Sequence, residues 1–295
     1  MRELHRRAAL MMGLAAAFAA GTAVAQDRPR RGDRRRRRAD RAVESGRSSA
    51  PHTSISTGSD PKQAYDLYAG AGTGPVLAYI HGGGWSMGDK AMVHSLPEYA
   101  QRHGLTFASI GYRLVPQVTP REQAQDVAAA VATLKRTCPG RPLFLMGHSA
   151  GAHLAALVGA DPTYLAGVGL QPSDLAGVIL LDGAGYDATG DRGNGPAGRL
   201  LGNLYSEAFG DNAAALSPTL LVRSGVRYPP YLIFHISSRD DARGQSEGLA
   251  AALIRAGGQA QVVVAPDDSH RDINVEFGAA GDAEGERAAR FILGR

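Results

Sequence analysis

A serine between glycines is the strongest indication of chemistry in this sequence. Ser149 is the centre of Gly147-His148-Ser149-Ala150-Gly151, which follows the strand-like run Pro142 to Met146 and begins the helix-like run Ala150 to Ala160. Glycines two residues before and two residues after the serine allow a sharp strand-to-helix turn, because no side chain obstructs it. Such a turn would hold the Ser149 hydroxyl out at the end of a sheet, where it could attack a carbonyl carbon.

A second motif could stabilise the negative charge that such an attack creates. His81-Gly82-Gly83-Gly84-Trp85 directly follows the apolar run Pro75 to Ile80. Consecutive glycines leave backbone N–H groups unshielded and free to adopt positive φ, which suits a loop that donates to an anion. The N–H groups of Gly83 and Gly84 are therefore predicted to form an oxyanion hole, together with that of Ala150 at a helix start. The alternative, a flexible glycine turn, is disfavoured because the serine motif follows on a later strand.

The base that the serine needs can be chosen by position. A serine hydroxyl is a poor nucleophile at neutral pH unless a base oriented by a carboxylate lies within reach. A serine turn of this kind predicts the chain order serine, acid, histidine. His235 and His270 both follow Ser149 at a distance. His235 lies inside an apolar strand-like run, where a packed histidine is expected, whereas His270 lies in a loop after the final strand. His270 is therefore the predicted base.

The acid has two candidate positions. Asp240 and Asp241 lie in the loop after the strand that ends near Ser237, where functional residues of such sheets are expected. Asp182 and Asp187 follow the preceding strand and form the second pair, because some proteins with this kind of sheet place the acid one strand earlier. The place of each pair in the order of strands and helices favours Asp240 and Asp241 over Asp182 and Asp187. It leaves the choice between Asp240 and Asp241 open.

Strands and helices alternate along the chain from Gln63 onwards. Six nearly continuous apolar or β-branched runs are typical of strands that are covered on both faces. These runs are Val76–Ile80, Thr106–Tyr112, Leu143–Met146, Gly177–Leu181, Tyr231–Ile236 and Ala260–Val264. Helical patterns span Pro120 to Cys138 (with a capping box at Thr119 and Glu122), about Gln245 to Ala256, and about Asp282 to Leu293. The alternation predicts an α/β fold with a doubly wound, mostly parallel sheet.

The N-terminal part differs in composition from the rest. Arg2, Arg6 and Arg7, an apolar stretch and the small residues of Ala23-Val24-Ala25 are typical of a signal peptide cleaved near Ala25. The Arg-rich segment that follows is predicted to be a disordered tether. The sequence thus divides into a signal peptide (1–25), a tether (26–56) and one catalytic domain (57–295). It predicts an exported protein, periplasmic or secreted, without stable membrane insertion after signal removal.

The distribution of charge argues against a nucleic-acid partner. Residues 1–50 hold 13 Lys+Arg and 5 Asp+Glu of the chain's 32 and 28, which leaves 19 and 23, a net charge of −4, for residues 51–295. A mildly acidic domain is not expected to present a nucleic-acid-binding face. No His, Cys and carboxylate residues show metal-ligand spacing, so neither a metal nor a cofactor is expected.

From about Thr57 to its end, the chain resembles a known family. The matching motifs are His81 to Trp85, Gly111-Tyr112-Arg113-Leu114, Gly147 to Gly151 and Ser269-His270, and Asp66-Leu67-Tyr68 is similar to a short opening strand. They resemble the α/β-hydrolase carboxylesterases with an HGGG oxyanion loop, the hormone-sensitive-lipase-like and feruloyl-esterase-like group. The resemblance implies the α/β-hydrolase fold, with Tyr112 and Asp126 as structural supports.

The same resemblance selects Asp241 as the acid. In related sequences the acid loop often reads Arg, a variable residue, Asp and then Gln-Ser at the helix. Arg239-Asp240-Asp241 with Gln245-Ser246 fits this pattern through Asp241. The family's usual Asp-Pro pair is absent, which keeps Asp240 as the alternative.

These motifs together predict a serine carboxylesterase that forms an acyl-enzyme intermediate. Its catalytic residues would be Ser149, Asp241 and His270, and its partner a small-molecule ester. The short, polar segment Gly183 to Pro218 is expected to form a cap that favours small or medium acyl groups. Two alternatives remain, a formamidase or amidase that uses the same residues and a non-catalytic module that binds the cell envelope.

Overall fold

Most of the predicted catalytic domain is present in the structure. The structure is a computed structural model that describes residues 46–68, 73–190 and 196–295. The predicted signal peptide, the predicted tether up to residue 45, and residues 191–195 of the predicted cap lie outside these ranges.

One sheet of eight strands lies at the centre of the described chain. The strands are β1 (His52–Ser56), β2 (Ala64–Tyr68), β3 (Val76–Ile80), β4 (Thr106–Ile110), β5 (Leu143–His148), β6 (Gly177–Leu181), β7 (Tyr231–Ile236) and β8 (Ala260–Ala265). Their spatial order is β1-β2-β4-β3-β5-β6-β7-β8. β2 pairs antiparallel with both β1 and β4, and the remaining neighbours are parallel. The predicted doubly wound, mostly parallel sheet is confirmed.

Helices cover both faces of this sheet. They are α1 (Leu96–Arg102), α2 (Pro120–Thr137), α3 (Ala150–Ala160), α4 (Pro162–Ala166), α5 (Pro196–Phe209), α6 (Pro218–Leu221), α7 (Asp240–Arg255), α8 (Asp272–Val275) and α9 (Ala283–Leu293). Side chains of α2, α3 and α7 share one apolar core with one face of the sheet. Side chains of α1 and α9 share a second core with the opposite face. Alternate residues of β3 divide between the two cores, which explains why the strand sequences are apolar throughout.

Helix α2 shows how local sequence determines an element. Its capping box is formed, because the backbone N–H of Thr119 donates to the carboxylate of Glu122 at 2.8 Å. Val127, Val131 and Leu134 lie on one stripe of this helix and are fully buried in the core. The helix therefore begins where its cap predicts and packs through the face that its periodicity predicts.

Several predicted boundaries move in the structure. Residues His52–Ser56, placed in the predicted tether, form the antiparallel edge strand β1 instead. Strand β4 ends at Ile110 rather than at Tyr112, and helix α7 begins at Asp240 rather than near Gln245. The last shift matters for the site, because it places Asp240 and Asp241 in the first turn of a helix rather than in a loop.

Candidate active site

The Gly147–Gly151 pentapeptide forms a sharp turn between β5 and α3. Ser149 has φ 54° and ψ −120°, a strained conformation for a residue with a side chain. A Cβ atom on Gly147 would lie 2.2 Å from the carbonyl oxygen of Gly151, and one on Gly151 would lie 2.2 Å from that of Ile80. Neither position can carry a side chain, so both glycines are needed to hold Ser149 at the carboxyl end of the sheet.

His270 lies beside Ser149, in the loop between β8 and α8. Its Nε2 atom is 3.1 Å from Oγ of Ser149, the distance of a hydrogen bond that the hydroxyl donates to a neutral imidazole. Nε2–H of His148 donates to the backbone carbonyl of His270 at 2.9 Å, and the two rings are 4.7 Å apart. His148, at the end of β5, therefore ties the histidine loop to the strand that carries Ser149.

Asp182, and not Asp241, is the carboxylate next to His270. Nδ1–H of His270 donates to Oδ2 of Asp182 at 2.5 Å. Asp182 directly follows β6, has a left-handed backbone with φ 40°, and is fully buried. Its N–H donates to the carbonyl of Phe234 in β7, and its Oδ1 accepts from the N–H of Ile236 at 3.2 Å. The backbone of the neighbouring strand therefore fixes this carboxylate toward His270.

The other three candidate aspartates have different partners. Oδ2 of Asp241 accepts from Nη2 of Arg239 at 2.6 Å. Asp240 is exposed and forms an ion pair with Arg243, and Asp187 accepts hydrogen bonds from Thr189. The predicted acid, Asp241, is therefore not the carboxylate that contacts His270. The physical reason is that α7 begins at Asp240, so that Arg239 lies between Asp241 and His270.

Charge at Asp182 is maintained by its neighbours. Burial by itself raises the pKa of this carboxyl, but the hydrogen bond with His270 and the charge of Arg239 outweigh burial and hold the pKa below its ordinary value of 3.8. Nη1 of Arg239 lies 2.9 Å from Oδ2 of Asp182. Asp182 is consequently ionised at neutral pH and can orient the imidazole and offset its positive charge.

The glycine loop packs directly against the serine turn. A Cβ atom on Gly82 would lie 3.2 Å from Cβ of Ser149. Gly83 has φ 120° and Gly84 has φ 56°, conformations that favour glycine, and a Cβ atom on Gly83 would lie 2.3 Å from the carbonyl oxygen of Met87. Ala150 is the first residue of α3, so its N–H has no acceptor within the helix. The three predicted oxyanion donors thus lie on the two segments that meet at Ser149.

Three further histidines near the site are uncharged at neutral pH. Burial lowers the pKa of His81 to about 4, of His148 to about 3 and of His153 to about 4. All three are engaged in hydrogen bonds with backbone carbonyls. They serve as fixed neutral donors around Ser149 rather than as competing bases.

The chain is similar to known proteins in sequence and in fold. A family model described as alpha/beta hydrolase fold matches residues 77–273, which hold both Ser149 and His270. The chain belongs to this family.

Several curated relatives of this alpha/beta hydrolase are named as ester hydrolases. It is 26% identical over 245 residues to a probable isoprenylcysteine alpha-carbonyl methylesterase of Arabidopsis thaliana, a match covering 75% of this chain and 51% of the relative. It is 37% identical over 101 residues to neutral cholesterol ester hydrolase 1 of Mus musculus, covering 30% of this chain and 24% of the relative. The chain thus spans about half, or less, of the length of the curated relatives that it matches.

Solved structures agree with the fold. Esterase B of Lactobacillus rhamnosis superposes with a TM-score of 0.67 at 21% identity, covering 97% of this chain and 94% of the other. The hormone-sensitive-lipase homologue EstE7 from a metagenome library superposes with a TM-score of 0.68 at 22% identity, covering 90% and 93%. At these identities the likeness shows the fold alone.

The supports that the resemblance implied are present. The hydroxyl of Tyr112 donates to the carbonyl of His81 at 2.9 Å, directly before the glycine loop. Asp126 on α2 accepts from the backbone N–H and the guanidinium of Arg113 and from Gln63. Both residues hold loops at the edge of the sheet where Ser149 lies.

Sequence reasoning about this hydrolase missed Arg239. Its place before two aspartates fits the acid-loop pattern, but its sequence context does not show that it is buried against Asp182. In the described residues, no three His, Cys, Asp or Glu side chains are grouped so that they could hold a metal ion. None of the described helices is long and apolar enough to cross a membrane.

Proposed function

We propose that this chain is a serine carboxylesterase that hydrolyses small or medium acyl esters through an acyl-enzyme intermediate. The observation that carries the proposal is the continuous hydrogen-bonded series from Oγ of Ser149 through His270 to Asp182. The family membership and the names of the relatives, two of which are ester hydrolases, support an ester as the substrate class.

The first half of the reaction acylates Ser149. Oγ attacks the carbonyl carbon of the ester, and its proton passes to Nε2 of His270, while the Nδ1–H bond to Asp182 stabilises the imidazolium that forms. The N–H groups of Gly83, Gly84 and Ala150 receive the oxyanion. One such donor contributes about 3 kcal/mol to lowering the barrier in comparable enzymes. The tetrahedral intermediate then collapses, and His270 protonates the departing alcohol.

The second half releases the acid. A water molecule takes the place of the alcohol, His270 removes its proton, and the hydroxide attacks the acyl carbon. Collapse of the second intermediate returns the proton from His270 to Oγ of Ser149. The residues that carry both halves are the same, so the cycle consumes one ester and one water and releases one alcohol and one acid.

The preference for small or medium acyl groups rests on the segment over the glycine loop. A Cβ atom on Gly84 would lie 3.2 Å from Cδ1 of Leu204 in helix α5. Tyr205 and Phe209 of the same helix pack edge-on against Trp85, with ring centroids 6.0 and 4.8 Å away. Helix α5 therefore lies directly on the predicted oxyanion loop and limits the room beside it.

A panel of substrates tests this function. Wild type, Ser149→Ala and the matched control Ser56→Ala, which changes an exposed serine on β1, would be compared on p-nitrophenyl acetate, butyrate and octanoate and on an N-formyl anilide. Ser149→Ala should lower kcat by ~10,000-fold or more, whereas Ser56→Ala should match wild type. Unchanged hydrolysis by Ser149→Ala would refute the nucleophile. Faster turnover of the anilide than of every ester would favour an amidase, and a folded wild type inactive on the whole panel would refute the esterase.

A further inference from the structure

A buried arginine lies within the group of residues around His270. Arg239 is 8% exposed, and its Nη1 atom contacts the same oxygen of Asp182 that His270 contacts, at 2.9 Å. The same Nη1 atom lies 3.2 Å from Nδ1 of His270. A guanidinium is always charged in proteins, so a fixed positive charge lies beside the imidazole that must itself become positive during the reaction.

This charge would hinder the proposed reaction if it stood alone. Arg239 and Asp182 together are neutral, so the carboxylate would offer little net stabilisation to an imidazolium at His270. A second cation next to the first also repels it, and this repulsion is strong because the site is buried. The geometry thus requires a further negative charge close to Arg239.

Asp241 supplies that charge. Its Oδ2 accepts from Nη2 of Arg239 at 2.6 Å, whereas Asp182 contacts Nη1, and the side chain of Asp241 is 26% exposed. It faces a cavity of about 290 Å³ that Gln245, Thr219 and Leu201 also line. With Asp182 and Asp241 ionised and Arg239 charged, the cluster carries one net negative charge, which is what a simple Asp–His pair carries.

We propose, on the basis of the proposed function, that Arg239 and Asp241 form a charge-balanced positioning pair for His270. Arg239 fixes the carboxylate of Asp182, and Asp241 offsets the charge of Arg239 so that the imidazolium at His270 remains stabilised. They act through Asp182 and through their charges.

The other titratable groups near His270 and Asp182 do not replace this pair. On β5, His148 is neutral, because burial lowers its pKa to about 3. After β6, burial raises the pKa of Tyr186 well above its ordinary value, so that it is uncharged. In the loop of His270 itself, Asp272 pairs with Ser269 at 2.6 Å, and burial next to other carboxylates raises the pKa of Asp268 to about 7. Asp268 is present in all variants below, so its contribution cancels in their differences.

Matched aspartate variants test the proposal through the pH profile of kcat/KM. Asp241→Asn keeps the shape of the side chain and removes its charge, and Asp240→Asn makes the same change one residue earlier at an exposed position that pairs with Arg243. Asp241→Asn should move the midpoint of the acid limb to lower pH by about 0.5–1 unit, because the imidazolium loses a nearby negative charge. Asp240→Asn should leave the midpoint where it is. Arg239→Met, where it folds, should move the midpoint in the opposite direction and reduce the plateau.

A second readout separates this inference from the proposed function. In the Ser149→Ala background, which needs no turnover, an NMR titration of the His270 ring should show the same displacement on Asp241→Asn. If wild type hydrolyses no ester but the ring titration moves, the esterase is wrong and the charge-balanced pair stands. An Asp241→Asn midpoint within 0.2 unit of wild type by both methods, or one displaced to higher pH, would overturn the pair. Loss of the whole plateau, as expected for Asp182→Asn, would also overturn it and return Asp241 to the role of acid.

Discussion

The indole Nε1–H of Trp85 donates to Nδ1 of His153 at 3.1 Å, and both side chains are fully buried. Because Nδ1 accepts, the ring carries its proton on Nε2, which donates to the carbonyl of Leu216 at 2.7 Å. Trp85 ends the glycine loop, His153 lies one turn into α3 after Ser149, and Leu216 lies just before α6. One neutral imidazole therefore connects the predicted oxyanion loop, the serine helix and the predicted cap segment.

Replacing this imidazole should loosen the glycine loop. His153→Leu leaves the Trp85 N–H and the Leu216 carbonyl without partners in a buried site, which costs about 1–3 kcal/mol. We expect the Tm to fall by about 5 °C. We also expect kcat to fall ~10-fold with KM nearly unchanged, because the loop would contribute mainly in the transition state. Calorimetry and steady-state kinetics measure both. His52→Leu, on the exposed edge strand, is the control, and an unchanged kcat in His153→Leu would contradict the positional role.

The serine turn should not tolerate a methyl group at Gly151. A Cβ atom there would lie 2.2 Å from the carbonyl oxygen of Ile80 and 2.5 Å from that of His81, and backbone cannot move aside as a flexible side chain can. Gly151→Ala should therefore destabilise the fold by about 3 kcal/mol and abolish hydrolysis. Gly248→Ala makes the same change inside α7, where nothing lies within 4 Å, and should stabilise by about 0.5–1 kcal/mol. Chemical denaturation compares the two, and equal stabilities would show that the turn is not constrained as described.

The two candidate acids should differ sharply in kinetics. Asp182→Asn removes the charge that faces His270 and offers an amide in its place, so we expect kcat to fall by ~10,000-fold. Asp241→Asn should leave most of the plateau rate, because Asp241 reaches His270 only through Arg239. Rates on p-nitrophenyl acetate at a pH well above the acid limb measure the difference. A larger loss for Asp241→Asn than for Asp182→Asn would reverse the assignment.

Stability should fall with rising pH near neutrality because of Asp268. Burial, followed by the nearby carboxylates of Glu284, Asp282 and Glu276, raises its pKa from 3.8 to about 7. Between these values the unfolded chain has lost this proton and the folded chain retains it, so the contribution to stability decreases as pH rises and is lost above about pH 7. Asp268→Asn should therefore raise the Tm at pH 8 by about 2 °C and change it less at pH 5. A Tm gain that is the same at both pH values would contradict the titration.

The fold could be predicted because most of its strands are unambiguous. Three strands have the bounds that the sequence predicts, because each is apolar on both faces and ends at a polar or glycine-rich loop. They are Val76–Ile80, Gly177–Leu181 and Tyr231–Ile236. Strand β1 could not be recognised, because His52–Ser56 is polar and lies at the sheet edge, where exposure removes the apolar signal. Its place in the sheet depends on its pairing with β2, a tertiary contact that the local sequence does not show.

The acid could not be chosen from sequence for a related reason. Asp182 and Asp241 follow adjacent parallel strands, so both lie at the same edge of the sheet. Position along the chain favours Asp241, but it does not determine which carboxylate reaches His270. The structure distinguishes them through the start of α7 and through the long side chain of Arg239, which reaches both carboxylates. Ser149 and His270 were better defined, because the turn glycines and the final loop leave few other arrangements.

The backbone ladder also links the serine to the acid. The N–H of Ser149 donates to the carbonyl of Leu181, and the N–H of the next residue, Asp182, donates to the carbonyl of Phe234. Ser149 and Asp182 are therefore positioned by successive backbone hydrogen bonds, the first from the end of β5 to β6 and the second from the end of β6 to β7. Inserting one residue into β6 would turn the carboxylate to the opposite face of the sheet while leaving its sequence context intact. The register of three strands, rather than any single loop, therefore decides whether the two groups can meet the same imidazole.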